Sequence, residues 1–164
     1  MADCDQLLKI AAATTQRWTW QFREKTCEIA KPYDWTTLHQ AFLQFAEIQL
    51  DDCFDGPNVD LSAMRRETAR IGVRVAADDT WSDLFSRILA ERIEPYLGLY
   101  RPEILCQYPT HEAALARPTA HDPRVAERFE LYVCGVELAN AFGELTDAAE
   151  QRRRFEAEMD VKEK

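Results

Sequence analysis

Apolar residues recur at helical spacing through the first hundred positions of this chain and shift to strand-like runs after them. Cys4 to Thr15, CDQLLKIAAATT, is rich in alanine and leucine and predicts a first helix. Between Arg17 and Ala30, RWTWQF and KTCEIA alternate aromatic with polar positions and predict a short hairpin, closed by Pro32. Asp34 reads as the N-cap of a helix that carries Leu38, Phe42, Phe45 and Ala46 on one side. A loop, DDCFDGPNVD, follows from Asp51 to Asp60. Helices are expected from Leu61 to Ile71 and, after a cap at Asp79, from Trp81 to Ile93, with Pro95 and Gly98 ending the second.

Glu103 to Tyr108 (EILCQY) and Arg128 to Val133 (RFELYV) have β-branched and aromatic content at strand length. The sheet is therefore expected from the C-terminal half. Trp81, Phe85 and Leu89, with Leu84, Ile88 and Ile93, form apolar helix faces wide enough to cover it. The segment VELANAFGEL fits a strand or, on its composition alone, the start of one long helix. Thr146 or Asp147 should begin a final helix, with Asp147 and Glu150 as a capping box and Ala148, Phe155 and Met159 buried. The fold class is α+β, with a helical covering layer and hairpin over 1–98 and central antiparallel strands plus a helix over 99–164.

Composition narrows the function classes. At 164 residues, 46% hydrophobic and 30% charged, the chain suits one globular domain. It has neither a membrane-length apolar run nor a leader pattern, so a cytoplasmic protein with no membrane partner is expected. A formal charge of −9 disfavours binding to phosphate backbones, and tRNA with them. Arg65, Arg66, Arg70 and Arg74, like Arg152 to Arg154, sit among acidic neighbours and read as solvated helix faces. Five cysteines without a CxxC pair, and His39, His111 and His121 without ligand spacing, argue against a disulfide framework or a zinc site.

The candidate chemistry lies between Arg124 and Asp147, where Glu130, Glu137, Asn140, Phe142 and Glu144 interrupt otherwise apolar sequence. A buried carboxylate costs several kcal/mol unless a cation or strong donor meets it. Such spacing suggests a site for an ammonium group or a metal-bound polyphosphate. The alternative is an acidic, helix-rich interaction module whose glutamates face water.

The run GVELANAFGELTDAAEQRRRF, Gly135 to Phe155, resembles the segment between the second and third signature motifs of class II lysyl-tRNA synthetases. It resembles more closely their stand-alone paralogues, the elongation factor P–(R)-β-lysine ligases, which carry alanine where Ala139 stands before Asn140. YPTHEAALAR and HDPRVAERFELY continue the likeness upstream. The resemblance implies the partial antiparallel sheet of the class II aminoacyl-tRNA synthetase catalytic domain, with a strand from Val136 to Leu145. It also implies ATP and Mg²⁺ as cofactors, activation of lysine or β-lysine as an adenylate, and elongation factor P as acceptor protein. Glu130 and Glu137 would hold Mg²⁺ and ATP, Asn140 the substrate carboxylate, Phe142 the aliphatic stem and Glu144 an ammonium. Ala139 would set the choice of amino acid. Ala141 stands where both families usually have glycine. The second and third motifs are absent, so a ligase fragment is expected, inactive alone in ATP–pyrophosphate exchange. Exposed strand edges at Glu103–Tyr108 or Val136–Leu145 would favour a homo-oligomer.

A hairpin turning at Cys134–Gly135 puts Glu130 and Glu137 on one face. Strict alternation then sends Asn140, Phe142 and Glu144 to the other. For all five to share a pocket, the strand must change phase between Glu137 and Asn140, as a β-bulge would allow.

Overall fold

A computed structural model describes residues 2–162 apart from Pro57. The chain opens with α1 (Ala2–Thr15) and a hairpin of β1 (Thr19–Phe22) and β2 (Lys25–Glu28) in unbroken antiparallel register. β3 (Asp34–Thr37) leads directly into α2 (Leu38–Ala46). The cap of α2 is Thr37, whose hydroxyl accepts from the Gln40 amide while the Gln40 side chain accepts from the Thr37 amide. Asp34, expected to cap this helix, instead begins the short strand before it. A 3-10 turn (Leu50–Cys53) and a two-residue ladder of β4 (Phe54–Asp55) with β5 (Asn58–Val59) fill the expected loop. Two helices follow, α3 (Leu61–Arg70) and α4 (Trp81–Ile88). Thr80, not Asp79, caps α4, in a reciprocal pair with Asp83.

α4 runs into a π turn over Leu89–Ile93 and a 3-10 turn over Glu94–Tyr96. The rest of the sheet then forms from β6 (Glu103–Pro109), β7 (Val125–Val133) and β8 (Val136–Phe142). α5 (Ala148–Lys162) closes the chain. The sheet order is β3-β6-β7-β8, with β3 parallel to β6 and the other pairs antiparallel. One strand thus comes from the N-terminal half, contrary to expectation; its DWTT sequence is too short and polar to announce itself. The Thr36 hydroxyl donates to Glu103 Oε1 at 2.5 Å, and Oε2 of the same carboxylate accepts from the Gly98 amide. β6 therefore lies inside the sheet, which overturns its expected role as a dimer edge.

Each sheet face has its own core. α2 and α4 cover one face, where Leu38, Phe42, Leu84, Phe85 and Ile88 meet Leu105, Tyr108, Ala126 and Tyr132. Burying side chains of this size contributes roughly 1.5–3 kcal/mol each. Phe42 and Trp81 both stack on Phe85, at 5.1 and 5.2 Å between ring centroids. α1 and the first hairpin cover the opposite face, where Leu8, Ala12, Cys27 and Ile29 meet Ile104, Leu131 and Val133. Asp147 Oδ1 accepts from the Ala149 and Glu150 amides, but Glu150 turns to Arg153 and Arg154 instead of closing a capping box. Ala148, Phe155 and Met159 are exposed, so the expected buried side of α5 is not formed. Among the described residues no helix is long and apolar enough to cross a membrane.

Candidate functional site

The helix-covered face runs out over β8, where it carries a polar network centred on β7. Alternation along β7 puts Arg128, Glu130 and Tyr132 on this face. Glu130 is 3% exposed, yet both its oxygens are engaged. Oε1 accepts from Arg128 Nη2 at 2.6 Å and from Asn140 Nδ2 at 3.2 Å; Oε2 accepts from the Tyr132 hydroxyl at 2.7 Å. Arg128 also donates to Asn140 Oδ1 and to the Glu112 carbonyl, and its guanidinium lies 4.3 Å above the Tyr108 ring. That forked, stacked geometry fixes the arginine, and through it the orientation of Glu130 and Asn140.

Register shifts on both sides of β7 shape the face. On β8, Tyr132 pairs with Glu137 and Leu131 with Ala139, which leaves Leu138 as the extra residue of a bulge. This phase change brings Asn140, paired with Glu130, and Phe142, paired with Arg128, onto the face of Glu137. The required bulge between Glu137 and Asn140 is thus present, and the strand reading of VELANAF replaces the helical one. On β6 the register shifts between Cys106 and Tyr108, with Gln107 at φ +60°. Tyr108 consequently joins Leu105 on the helix-covered face instead of following Cys106 to the other.

Glu130, Glu137, Asn140 and Phe142 therefore share a face. Two expected site residues stand apart. Ala139 pairs with Leu131 and packs into the opposite core, so its methyl does not project beside a ligand on this face. The expectation that it sets amino-acid choice through its side chain is corrected accordingly; only its backbone, beside the bulge, adjoins the site. Glu144 lies past the end of β8, exposed, with its backbone bridged to Ala116. Among the described residues no arginine of the 152–154 run forms a salt bridge to it; Arg153 and Arg154 pair with Glu150.

The electrostatics of the face are one-sided. Burial raises the Glu137 carboxyl, and the charge of Glu130 raises it further, against the pull of Asn140 and Arg128. Glu94, at the end of the turn after α4, is raised by burial, then by Glu130 and Glu137, with a Tyr132 hydrogen bond opposing. Tyr108 and Tyr132 are held firmly protonated by burial and by the Glu130 charge. Three carboxylates thus share a partly desolvated region with one guanidinium, an arrangement that added positive charge relieves. Among the described residues no three acidic, histidine or cysteine side chains form a ready metal cage. Two carboxylates on one face still suit Mg²⁺, which keeps several waters and takes other ligands from phosphates.

The family model described as tRNA synthetases class II (D, K and N) matches residues 2–164. This chain belongs to that family. Among its relatives, elongation factor P–(R)-β-lysine ligase of Proteus mirabilis is 39% identical over 122 residues, covering 73% of this chain and 36% of the relative. The protein of the same name from Edwardsiella ictaluri is 39% identical over 132 residues, 79% of this chain and 38% of the relative. That from Salmonella typhi is 37% identical over 128 residues, again 38% of its length. The chain thus spans less than two fifths of the curated relatives it matches. The class II assignment agrees with the mixed helix and sheet composition and with the antiparallel β6-β7-β8 core.

Sequence reasoning missed Arg128, Tyr132, Tyr108 and Glu94. Arg128 and Tyr132 were within reach, since residues two apart on a strand flank Glu130 on its own face. Tyr108 needed the Gln107 phase change, and Glu94 is 36 positions upstream of Glu130 with no local signal.

Proposed function

We propose that this face is the amino-acid and nucleotide side of an ATP-dependent, lysyl-tRNA synthetase-like ligase. In this reading lysine or β-lysine is activated as an adenylate and then passed to a lysine of elongation factor P. The observation that carries it is the Leu138 bulge, which gathers Glu137, Asn140 and Phe142 beside Glu130. Glu137, with Glu130 behind it, would hold Mg²⁺ against the triphosphate. Bound there, the ion offsets the repulsion between phosphate and carboxylate. Asn140 donates an amide hydrogen to Glu130 and is the side-chain amide that would meet a substrate carboxylate. Phe142, 36% exposed, offers its ring to an aliphatic stem; Glu144, exposed beyond the end of β8, would meet an ammonium group only at the outer margin of this face.

Calorimetric titration of L-lysine and (R)-β-lysine, with and without Mg–ATP, tests this. Binding by the wild-type chain, lost in Asn140→Ala and weakened in Glu137→Gln at unchanged circular dichroism, supports the reading. A folded chain that binds neither amino acid leaves the interaction-module alternative, for which exposed Leu138 and Phe142 on β8 would serve as contacts.

A further inference from the structure

Glu94 lies outside the strands that carry the site, yet several independent features deliver it there. The α-helical ladder of α4 widens into the π turn at Leu89–Ile93, a device common at functional sites, and Glu94 follows at once. The chain then turns at Gly98, whose φ is +65°; a Cβ there would collide with the Tyr132 carbonyl. Cross-connections lock this turn onto the β7–β8 turn. Cys134 and Gly135 donate their amides to the Gly98 and Leu97 carbonyls, and Lys25 Nζ donates to the Pro95 carbonyl. Glu94 is thereby held with its Oε1 3.5 Å from the Tyr132 hydroxyl, the same hydroxyl that donates to Glu130. Beside Glu130 the Tyr108 hydroxyl is buried, in a side chain 1% exposed, and has no well-formed hydrogen bond beyond a loose approach to the Glu130 carboxylate. A buried donor so loosely met next to crowded carboxylates marks a place where a ligand or its water completes the bonding.

We infer that Glu94 is a third carboxylate beside the cation-binding face, adding negative charge toward Mg²⁺ from next to the hydroxyl that holds Glu130. This rests on the reading of Glu130 and Glu137 as the Mg²⁺-binding pair. Glu94 acts from a distance, through its charge. It is placed where folding alone gives no return: its neighbours include two like charges and a hydroxyl already committed to Glu130.

Stability and cation affinity must therefore move in opposite directions. Mn²⁺, a spectroscopically visible stand-in for Mg²⁺, is titrated into the chain by electron paramagnetic resonance, with melting temperature measured in parallel. Glu94→Gln is expected to melt no lower than wild type and to bind Mn²⁺ about tenfold more weakly, the effect of one charge acting on a divalent ion across partly solvated space. Glu94→Asp, which keeps the charge, should recover part of that affinity. Tyr132→Phe should lose affinity by severing the link to Glu130. Glu91→Gln, which removes an exposed acid three residues earlier, should bind like wild type. Wild-type affinity in Glu94→Gln, with affinity lost in Glu137→Gln, overturns the role of Glu94 and leaves the pair intact. No Mn²⁺ binding beyond that of a Glu130→Gln/Glu137→Gln double variant overturns the pair and Glu94 together. An equal loss in Glu91→Gln would reduce the effect to net charge and also overturn the inference.

Discussion

Two acid–arginine pairs, one reaching from α4 to the loop before it and one on β7, are built for different ends. Asp79 and Arg87 meet in a two-pronged bond, Nη1 to Oδ2 at 2.7 Å and Nη2 to Oδ1 at 2.8 Å. The Ala76 amide donates to Asp79, and the Arg87 fork also reaches the Arg74 carbonyl. One charge answers one charge, and Arg87 holds the Asp79 carboxyl far below the usual carboxylate range. At Glu130 and Arg128 the same chemistry is outnumbered, because Glu94 and Glu137 are pushed up by burial and by their acidic neighbours. The first pair is a closed structural clasp around the loop before α4. The second is left with surplus negative charge, which folding does not require and a cation would use.

Substitutions can break this contrast, beginning with the largest effect. Glu130→Gln strips the charge from a buried carboxylate and leaves Arg128 short of a partner. A loss of about 3 kcal/mol in denaturant unfolding is expected. Asp79→Asn should lower the melting temperature by less, since Arg87, 23% exposed, can turn to water.

The two regions should also titrate in opposite senses. Asp79 contributes stability at neutral pH that is lost as pH falls through its depressed folded value. Glu94 and Glu137, raised on folding, penalise the folded state at neutral pH, and that penalty is relieved as pH falls through their raised folded values. A shallow rise in melting temperature on mild acidification should therefore precede the acid fall. A Glu94→Gln/Glu137→Gln variant should lose the rise, and Asp79→Asn should lose part of the fall. The smallest stability change is expected for Glu137→Gln alone, within about 0.5 kcal/mol, while Mn²⁺ binding suffers. A clear destabilisation there would place Glu137 with Asp79 as a structural acid.

Much of this architecture was legible in the sequence because it is local. The α3 and α4 faces follow from apolar spacing, and β6 and β7 from β-branched and aromatic runs. The Leu138 bulge could be anticipated because a hairpin turning at Cys134–Gly135 cannot otherwise place Asn140 with Glu130. Non-local pairing was hidden. Asp34–Thr37 becomes a strand only because Glu103–Cys106 lies beside it, and Thr37 outcompetes Asp34 as a cap because Gln40 returns its bond. Ala139 was misjudged for the same geometric reason that brought Asn140 into place: adjacent residues on a strand face opposite ways. The exposed Phe155 and Met159 show that helical spacing of apolar residues does not by itself supply a surface to bury them.

The parallel β3–β6 ladder also sets an order of assembly. Thr36 and Glu103 are separated by 67 residues, whereas β7 and β8 are joined by a two-residue turn. Closing the long loop incurs its entropic cost before any ladder bond is returned, whereas the short hairpin can zip almost immediately. On loop-closure entropy the β7–β8 half of the acidic platform is expected to pair first, and the β3–β6 ladder later.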